Sequence, residues 1–324
     1  MRKLVCLAMC FASSASSAGT VGKQLEKEFD YNFASSIVLS DSDVFTVGFS
    51  DFDPNEYLNF DDESLGDEES VDLRKKITVM SLPFSVPVRN YRYSPYQTKV
   101  NGRGYLLSSE QKVHALDSAM ADDLDELILG GYLEMEHEAY LSPSVSLSGA
   151  AGTHLMYYQN DYAYRSDALF DYKDQIDGVY VNTNSLAMVG EINATLKYSQ
   201  NGHFGNWYFW SSPHYFNGVG VNFGNGNNTV NPEGWYWVNG VKVFYRLAIW
   251  QNMVQSFYTS FNRVDVGGDI EKPLKTDHYY EVSMGWLMTP PFNIPLVTNV
   301  GVGLSLNYGS AFKGGSLVFF FNQM

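Results

Sequence analysis

Three glutamates in the stretch GYLEMEHEAY have a spacing that places their charges in one column. Glu134, Glu136 and Glu138 stand at alternate positions, and successive side chains of a β-strand point to opposite faces of the sheet. On a strand, the three carboxylates therefore share one face, with neighbours about 7 Å apart. Like charges at this separation repel each other unless cations lie close to them. The stretch predicts a charged face that needs basic partners.

Other charged residues stand at equivalent positions in neighbouring alternating runs. They are Glu191, Lys197, Lys242 and Arg246. Because Lys242 and Arg246 share one face, we predict that they form a basic wall opposite the glutamate column, across the lumen of a barrel. Two interpretations of these lumen-lining charges stay open. They form either a salt-bridged filling or a charged constriction that selects solutes by their sign.

Residue types used in catalysis are present, but their spacing matches no catalytic motif. Asp277 precedes His278, an acid–histidine pair, and there is no G-x-S-x-G sequence. The histidines also lack the helical spacing of a zinc site. We therefore expect no enzymatic activity, no metal and no cofactor. An outer-membrane hydrolase built around His278 is the alternative.

About twelve runs of alternating apolar and polar residues predict as many β-strands. In the clearest run, NGVKVFYRLAIW, the apolar residues at 241, 243, 245, 247 and 249 share one face. The runs lie near residues 36–50, 72–82, 96–107, 125–139, 144–158, 184–199, 203–216, 236–250, 253–265, 277–290, 297–308 and 315–322.

The connections between these runs alternate between short and long. Tight turns are predicted at 141–143, 200–202, 251–252 and 290–295, and longer segments at 51–71, 108–124, 159–183, 217–235 and 266–276. This asymmetry is typical of outer-membrane barrels, whose long loops face outward. We predict an all-β fold, a transmembrane antiparallel β-barrel of about 12 strands with both chain ends on the periplasmic side. A soluble β-sandwich or secreted barrel, which also alternates, is the alternative.

Composition agrees with a barrel and disfavours other classes of protein. The 324 residues include 23 Tyr, 21 Phe and 28 Gly, and beyond the N-terminus no stretch approaches the roughly 18 apolar residues of a membrane helix. The net charge is −15, which disfavours nucleic acid as a partner. Ten carboxylates lie between Asp51 and Asp72, where we predict a solvated acidic loop.

The first residues have the layout of a secretory signal peptide. Residues 1–18 combine a basic start, an apolar core and a run of small residues. Cleavage is predicted after Ala15 or Ala18, and a lipoprotein anchor at Cys10 is the alternative. Cys6 and Cys10 are the two cysteines of the chain. The exported protein is therefore expected to contain no disulfide.

A leader at residues 19–33 separates the signal peptide from the barrel, which we place at 34–324. Within the leader, Leu25 and Phe29 lie four residues apart among charged residues, which predicts a short helix at 21–30. An unstructured leader is the alternative, because so short a helix is marginal by itself.

The last predicted strand has a regular apolar face almost to its end. Leu317, Phe319 and Phe321 stand at alternate positions. This pattern is similar to the C-terminal signal that barrel-assembly machinery recognises, and we predict that role for these three residues. Three further residues follow Phe321, which departs from a strand that ends on its aromatic residue.

A signal peptide, a short leader and about twelve strands with an aromatic last strand resemble the solitary outer-membrane autotransporter-like β-barrels. These are translocator-type barrels without a passenger domain. The resemblance covers nearly all of the chain after the signal peptide. It implies that the helix at 21–30 plugs the barrel lumen, and that the protein lies in the outer membrane of a Gram-negative cell.

The same resemblance implies a function. We expect a passenger-less, autotransporter-type barrel that acts as a pore or surface scaffold without catalysis. Its expected partners are outer-membrane lipid and lipopolysaccharide, and the barrel-assembly machinery, with no nucleic acid. Two alternatives stay open: an outer-membrane hydrolase with an active site at the rim, and an adhesin or receptor that uses the long loops.

Overall fold

The fold of the chain is given by a computed structural model. It describes residues 18–41, 48–52, 77–90, 95–113, 121–166, 173–222, 229–250, 253–290, 297–311 and 313–322. The predicted signal peptide, apart from Ala18, and most of the acidic loop at 51–72 lie outside these residues. Both predictions therefore stay untested.

The described residues form one long helix, twelve strands and two short helices. The long helix α1 spans Ala18–Ser40, and the short helices are α2, Lys173–Ile176, and α3, Glu271–Leu274. None of these helices has the length and hydropathy to cross a membrane. The strands are β1 Gly48–Phe52, β2 Ile77–Asn90, β3 Tyr96–Val113, β4 Asp122–Tyr140, β5 Val145–Ala163, β6 Asn184–Gly202, β7 Gly205–Val221, β8 Glu233–Trp250, β9 Met253–Gly268, β10 His278–Met288, β11 Val300–Tyr308 and β12 Gly314–Phe321.

All twelve strands belong to one antiparallel sheet that curls into a barrel. The strand order is β1-β12-β11-β10-β9-β8-β7-β6-β5-β4-β3-β2, so β1 pairs with the last strand of the chain. At the seam, the side-chain amide of Asn322, just after β12, donates to the carbonyl of Pro83 on β2 over 3.3 Å. This contact lies between β2, at one end of the strand order, and the segment after β12, which is next to β1 at the other end. The predicted antiparallel barrel of about twelve strands is confirmed.

Alternation gives the barrel an apolar exterior. On β4, Leu129, Leu133 and Met135 are 55–60% exposed, whereas Ile128 and Tyr132 on the opposite face are buried. Other strands present the same kind of outward side chain, among them Met80, Leu82, Leu155, Ile192, Leu247 and Ile249. An exterior of this kind is what hydrocarbon requires of a membrane barrel.

The two ends of the barrel differ in the length of their connections. The short-turn end carries the connections 91–95, 141–144, 203–204, 251–252 and 289–299. The long-loop end carries 53–76, 114–121, 164–183, 222–232, 269–277 and 309–313. The predicted asymmetry is present, although 289–299 is longer than a tight turn and 309–313 is short.

Helix α1 is longer than predicted, and it replaces the start of the first predicted strand. The predicted helix covered 21–30 and the predicted strand 36–50, but α1 continues to Ser40 and β1 begins at Gly48. Phe29, Phe33 and Ile37 stand four residues apart and are all buried, which is helical spacing. The strand predicted at 36–50 is therefore wrong over residues 36–40.

The second half of α1 is buried on every side. All residues from Phe33 to Asp41 are buried, which hides the helical pattern because no polar face remains. Its serine hydroxyls donate to carbonyls three residues back, Ser36 to Phe33 over 2.8 Å and Ser40 to Ile37 over 3.0 Å. These bonds satisfy the hydroxyl donors without partners from the wall.

On the inner face of the last strand, the ring of Phe320 packs against neighbouring strands. Phe320 is 1% exposed and packs edge-to-face on Tyr258, with ring centroids 4.9 Å apart. A Cβ atom built on Gly285 or Gly303 would lie 2.5 or 2.6 Å from the Phe320 ring. Glycine at these two positions therefore makes room for the ring. Phe319, its neighbour on the outer face, is 50% exposed.

We expect Phe320→Ala to lower the free energy of unfolding by about 3–5 kcal/mol, because the lost ring leaves a cavity beside two glycines. The matched control is Phe319→Ala, whose ring fills no such space, and its effect should be clearly smaller. The measurement is equilibrium unfolding of each folded variant in detergent, followed by tryptophan fluorescence. Equal losses in the two variants would contradict this account of the last strand.

Candidate functional site

The interior of the barrel is occupied by α1 at the long-loop end. Lys27 of the helix lies 2.9 Å from Asp30 and 3.2 Å from Asp269, which belongs to the connection after β9. Asp30 in turn accepts the backbone N–H of Asn231, in the connection before β8, over 2.6 Å. The chain therefore enters the lumen from the long-loop end. The prediction that both chain ends lie on the short-turn side does not hold for the N-terminal side of α1.

Burial and ion pairs shift the pKa values of two charged residues where the helix enters the lumen. Burial opposes the charge of Lys27, but hydrogen bonds with Asp30 and Asp269 outweigh it and raise the pKa of the ammonium group. Burial also raises the pKa of Glu28, and Lys272, 3.6 Å away, only partly offsets this effect. The helix is thus tied to the connections at the long-loop end by ion pairs that include exposed members.

The other end of α1 meets a buried cation. Asp41 lies 3.6 Å from the guanidinium of Arg103 on β3, and Arg103 also donates to the carbonyl of Ile37 over 3.4 Å. A cation is favourable at a helix C-terminus, where carbonyl groups lack helical partners. The hydroxyl of Tyr236 on β8 donates to Asp41 over 2.9 Å. These contacts hold the helix end inside the lumen.

A second carboxylate lies beside this ion pair. Glu191 on β6 is 2% exposed, and two imidazoles flank it. His154 Nε2 lies 2.8 Å from one oxygen, and His214 Nδ1 lies 2.8 Å from the other. Tyr236 also reaches Glu191, over 3.1 Å. A buried carboxylate with several donors is stabilised, whereas one that lost them would be costly. We call the following residues the central network: Asp41, Arg103, His154, Glu191, His214 and Tyr236.

Aromatic rings fix the orientation of both imidazoles. His154 stacks on Tyr132 with ring centroids 4.1 Å apart, and His214 stacks on Tyr236 at 4.2 Å. The guanidinium of Arg103 also lies over the Tyr132 ring, 4.7 Å from its centroid. Stacking leaves each imidazole with its nitrogens directed in the plane toward polar partners. The network is therefore rigid and specific in its hydrogen bonding.

Below the helix, toward the short-turn end, lies a cavity of about 590 Å³. Asp41 contributes to its wall, and so do the glutamate column and Lys197. The structure therefore places Glu134, Glu136 and Glu138 on the lumen face, as the alternation predicted. Glu191 and Lys197 line the same cavity.

The cation that contacts the column is a different one from those predicted. Lys99 on β3 lies 3.2 Å from Glu136 and 3.5 Å from Glu138. In the sheet, Lys99 pairs directly with Glu136, and adjacent strands lie about 4.8 Å apart. A neighbouring strand is thus a nearer source of charge than an opposing wall. Asn101 completes the column by donating to Glu134 and Glu136 over 2.9 and 2.7 Å.

Lys242 and Arg246 do not form the predicted basic wall together. Lys242 is 3% exposed and lies 5.0 Å from the Trp210 ring centroid, whereas Arg246 is exposed and is not part of the described cavity wall. The pairing of β8 with β9 becomes irregular between Arg246 and Ala248, so regular inward alternation ends there. Of the basic residues predicted for the lumen, Lys197 shares the cavity with the column and lies 4.4 Å from the Tyr208 ring centroid. Lys99 and Arg103 line the same cavity.

The remaining candidate, Asp277 with His278, lies outside the lumen. The carboxylate and the imidazole are 2.7 Å apart, with side chains 79% and 43% exposed. The hydrogen bond from His278 lowers the pKa of Asp277. Within the described part of the chain, no group of three or more histidine, cysteine or acidic residues is placed to hold a metal ion.

Sequence reasoning missed the residues at the centre of the lumen. His154 and His214 stand at inward positions of β5 and β7, after Thr153 and Pro213, and neither belongs to a motif. Arg103 lies in the run that alternated least clearly. The signal in the sequence was the face of the strand on which each residue stands. An imidazole or guanidinium on the inner face needs a polar partner there.

The family model described as "Solitary outer membrane autotransporter beta-barrel domain" matches residues 30–323. Among solved structures, the chain is similar to the β domain of the Bordetella autotransporter BrkA at 11% identity and a TM-score of 0.36, covering 76% of this chain and 96% of that chain. It is similar to the transport unit of the autotransporter AIDA-I from Escherichia coli at 12% identity and a TM-score of 0.29, covering 91% and 96%. The comparison with curated proteins found no match.

We expect Asp41→Asn to lower the free energy of unfolding by about 3 kcal/mol, because it removes the charge that faces the buried guanidinium of Arg103. The control is Asp123→Asn, which breaks a partly exposed pair with Arg165 near the surface and should cost less than about 1 kcal/mol. Equilibrium unfolding in detergent measures both. A loss for Asp41→Asn no larger than that of the control would show that this ion pair does not hold the helix.

Proposed function

The chain belongs to the family of solitary outer membrane autotransporter β-barrel domains, and we propose that it is an outer-membrane barrel that is closed by its own helix and acts as a surface scaffold. The observation that supports this proposal is the complete burial of α1 from Phe33 to Asp41 inside the barrel wall. Phe29 and Phe33 pack edge-to-face on Tyr158, with ring centroids 5.1 and 5.9 Å away. These contacts between the helix and the wall support closure of the lumen by the helix.

The outer surface supports an outer-membrane location. Autotransporter β-barrel domains are outer-membrane proteins, and this barrel presents large apolar side chains along its exterior. In the proposed orientation the long-loop end faces outward, as in other barrels of this membrane. The apolar exterior would contact membrane lipid, and lipopolysaccharide in the outer leaflet.

The last strand supports a role for barrel-assembly machinery. Leu317 and Phe319 face outward and are 37% and 50% exposed, so a partner could reach them before the barrel enters the membrane. The backbone of Phe321 pairs with Val300, and its side chain lies outside the described residues. The role of the three residues as an assembly signal remains a proposal.

A scaffold fits the lumen better than an open pore does. The cavity of about 590 Å³ has Asp41 of the helix in its wall, so a path from the short-turn end stops at α1. The side chains of Asp277 and His278 are 79% and 43% exposed, whereas ligand sites are usually enclosed, so this pair gives little support to a rim hydrolase. The family description names no reaction. The proposed scaffold role by itself requires no catalysis.

Deleting residues 19–41 should convert the closed barrel into a conducting one, because the deletion removes the whole buried part of α1. The full-length protein, purified from the outer-membrane fraction, should show no steady conductance in a planar bilayer. The control is deletion of residues 19–25, which leaves the helix from Phe29 to Asp41 in place and should also stay closed. Steady conductance of the full-length barrel would refute closure by the helix.

In the barrel lacking residues 19–41, the glutamate column should favour cations. Replacing Glu134, Glu136 and Glu138 by Gln should lower the cation-to-anion permeability ratio, since the wall then keeps its lysines but loses three negative charges. Asp265→Asn, which lies beside Arg263 on the outer face, serves as the control. Reversal potentials in a salt gradient measure the ratio. An unchanged ratio in the triple variant would show that the column does not set ion selectivity.

A further inference from the structure

Three residues of the lumen wall stand in the order hydroxyl, imidazole, carboxylate. Ser212 Oγ lies 2.9 Å from His214 Nε2, and His214 Nδ1 lies 2.8 Å from Glu191 Oε1. The hydroxyl and the carboxylate thus contact opposite nitrogens of one ring. This is the arrangement by which a histidine takes the proton of a serine hydroxyl while an acid orients the ring.

The fold produces this order from neighbouring strands. Ser212 and His214 are two residues apart on β7 and therefore share its inner face. Glu191 stands on β6, where Asn193 pairs with His214, so the carboxylate reaches the ring diagonally. Pro213 separates Ser212 from His214 and has no backbone N–H to donate to the β6–β7 ladder.

The surrounding hydrogen bonds select one proton arrangement. Glu191, as a carboxylate, only accepts, so His214 Nδ1 carries the proton that it donates, and in the neutral imidazole His214 Nε2 accepts from Ser212. The Ser212 oxygen then accepts from Thr195 Oγ1, 2.7 Å away. In this state the serine hydroxyl is directed at the nitrogen that would remove its proton.

A second hydroxyl–imidazole–carboxylate arrangement lies nearby, and it differs from the first in its access to the cavity. His154 also lies between Glu191 and a hydroxyl, that of Tyr105, 3.1 Å from Nδ1. His154 is fully buried, and neither it nor Tyr105 belongs to the described cavity wall. Ser212 and His214 both do. Of these two arrangements, the one through Ser212 and His214 is open to a small molecule that enters the cavity.

The wall beside Ser212 carries donors for a developing negative charge. Thr195, Asn193 and Lys197 follow one another on the inner face of β6, and all three line the cavity. The hydroxyl hydrogen of Thr195 is directed at Ser212 in this arrangement, and Asn193 donates one N–H to Glu134 over 3.0 Å. The second N–H of Asn193 and the positive charge of Lys197 are the groups that this wall offers. Donors of these kinds stabilise the oxyanion that forms when a serine attacks a carbonyl group. The volume of about 590 Å³ falls within the range of small-molecule sites.

We propose that Ser212 is a nucleophile, with His214 as its base and Glu191 as a positioning residue, which accepts the acyl group of small carboxylic esters that enter from the short-turn end. The proposal goes beyond the scaffold role and does not depend on it. Ser212 Oγ attacks the carbonyl carbon as its proton passes to His214 Nε2. The bond to the alcohol oxygen then breaks, and His214 returns the proton to the leaving alcohol. Water, deprotonated by His214, releases the carboxylic acid and restores Ser212.

The test is covalent labelling of the folded full-length barrel in detergent. A small fluorophosphonate should form an adduct on Ser212, located by mass spectrometry of the digested protein, and p-nitrophenyl acetate should acylate the same residue. Ser212→Ala and His214→Gln should slow acylation at least about 100-fold. The control is Ser148→Ala, a serine of the same cavity wall on β5, which should react as the wild type does.

Heat-modifiable migration in gels establishes that each variant is folded before it is compared. An unlabelled Ser212 in the folded wild-type protein would overturn the proposal, independently of any variant. Equal acylation of the wild type and a folded Ser212→Ala variant would overturn it as well. Neither result would affect the scaffold role, which is tested by conductance.

Glu191 has a separate test because it acts through His214. Glu191→Gln should lower the maximal rate of acylation while the concentration for half-maximal rate stays the same, since the carboxylate touches the ring and not the ester. Glu191→Asp should restore part of the rate because it restores the charge. A folded Glu191→Gln barrel that reacts at the wild-type rate would show that the carboxylate has no part in activating Ser212.

Discussion

Closing a twelve-stranded sheet on itself creates an interior that has to be filled, and the main features of this protein follow from how that is done. Every inward position belongs to a strand of alternating faces, so the lumen receives half of the side chains of the wall. The upper half of this space, at the long-loop end, is filled by an apolar helix. The lower half is lined by charged and polar groups that bond to one another around a cavity.

The boundary between these two halves is the central network. Asp41 ends the helix, and Arg103 binds both this carboxylate and the carbonyl of Ile37. Glu191 shares Tyr236 with Asp41, which links the helix end to strands on several sides of the barrel. Low polarity around such groups strengthens each bond and makes an unmatched partner costly. The helix is consequently held by a network that is specific to its C-terminal end, in addition to its apolar packing.

The barrel could be predicted from the sequence because its signals are local. Alternation within each run and the lengths of the connections require no knowledge of strand pairing. The end of the helix could not be predicted because a segment buried on all sides shows no polar face, so the apolar residues around Ile37 fit the pattern of a strand as well. Partners within the wall depend on register, which alternation does not supply. For this reason Lys242 and Arg246 were predicted opposite the glutamates, whereas Lys99 on the adjacent strand contacts them. The relay through His214 was missed for the same reason.

The seam of the barrel has a mechanical consequence. β1 contributes five residues to the sheet, whereas β3 contributes 18. On the other side of the seam, β2 contains Pro83 and Pro87, and a residue without a backbone donor is tolerated where a strand behaves as an edge. Resistance to shear is therefore uneven around the circumference. Under a lateral load the wall would separate first at this seam, where the fewest backbone hydrogen bonds join neighbouring strands, and the long central hairpins would stay intact.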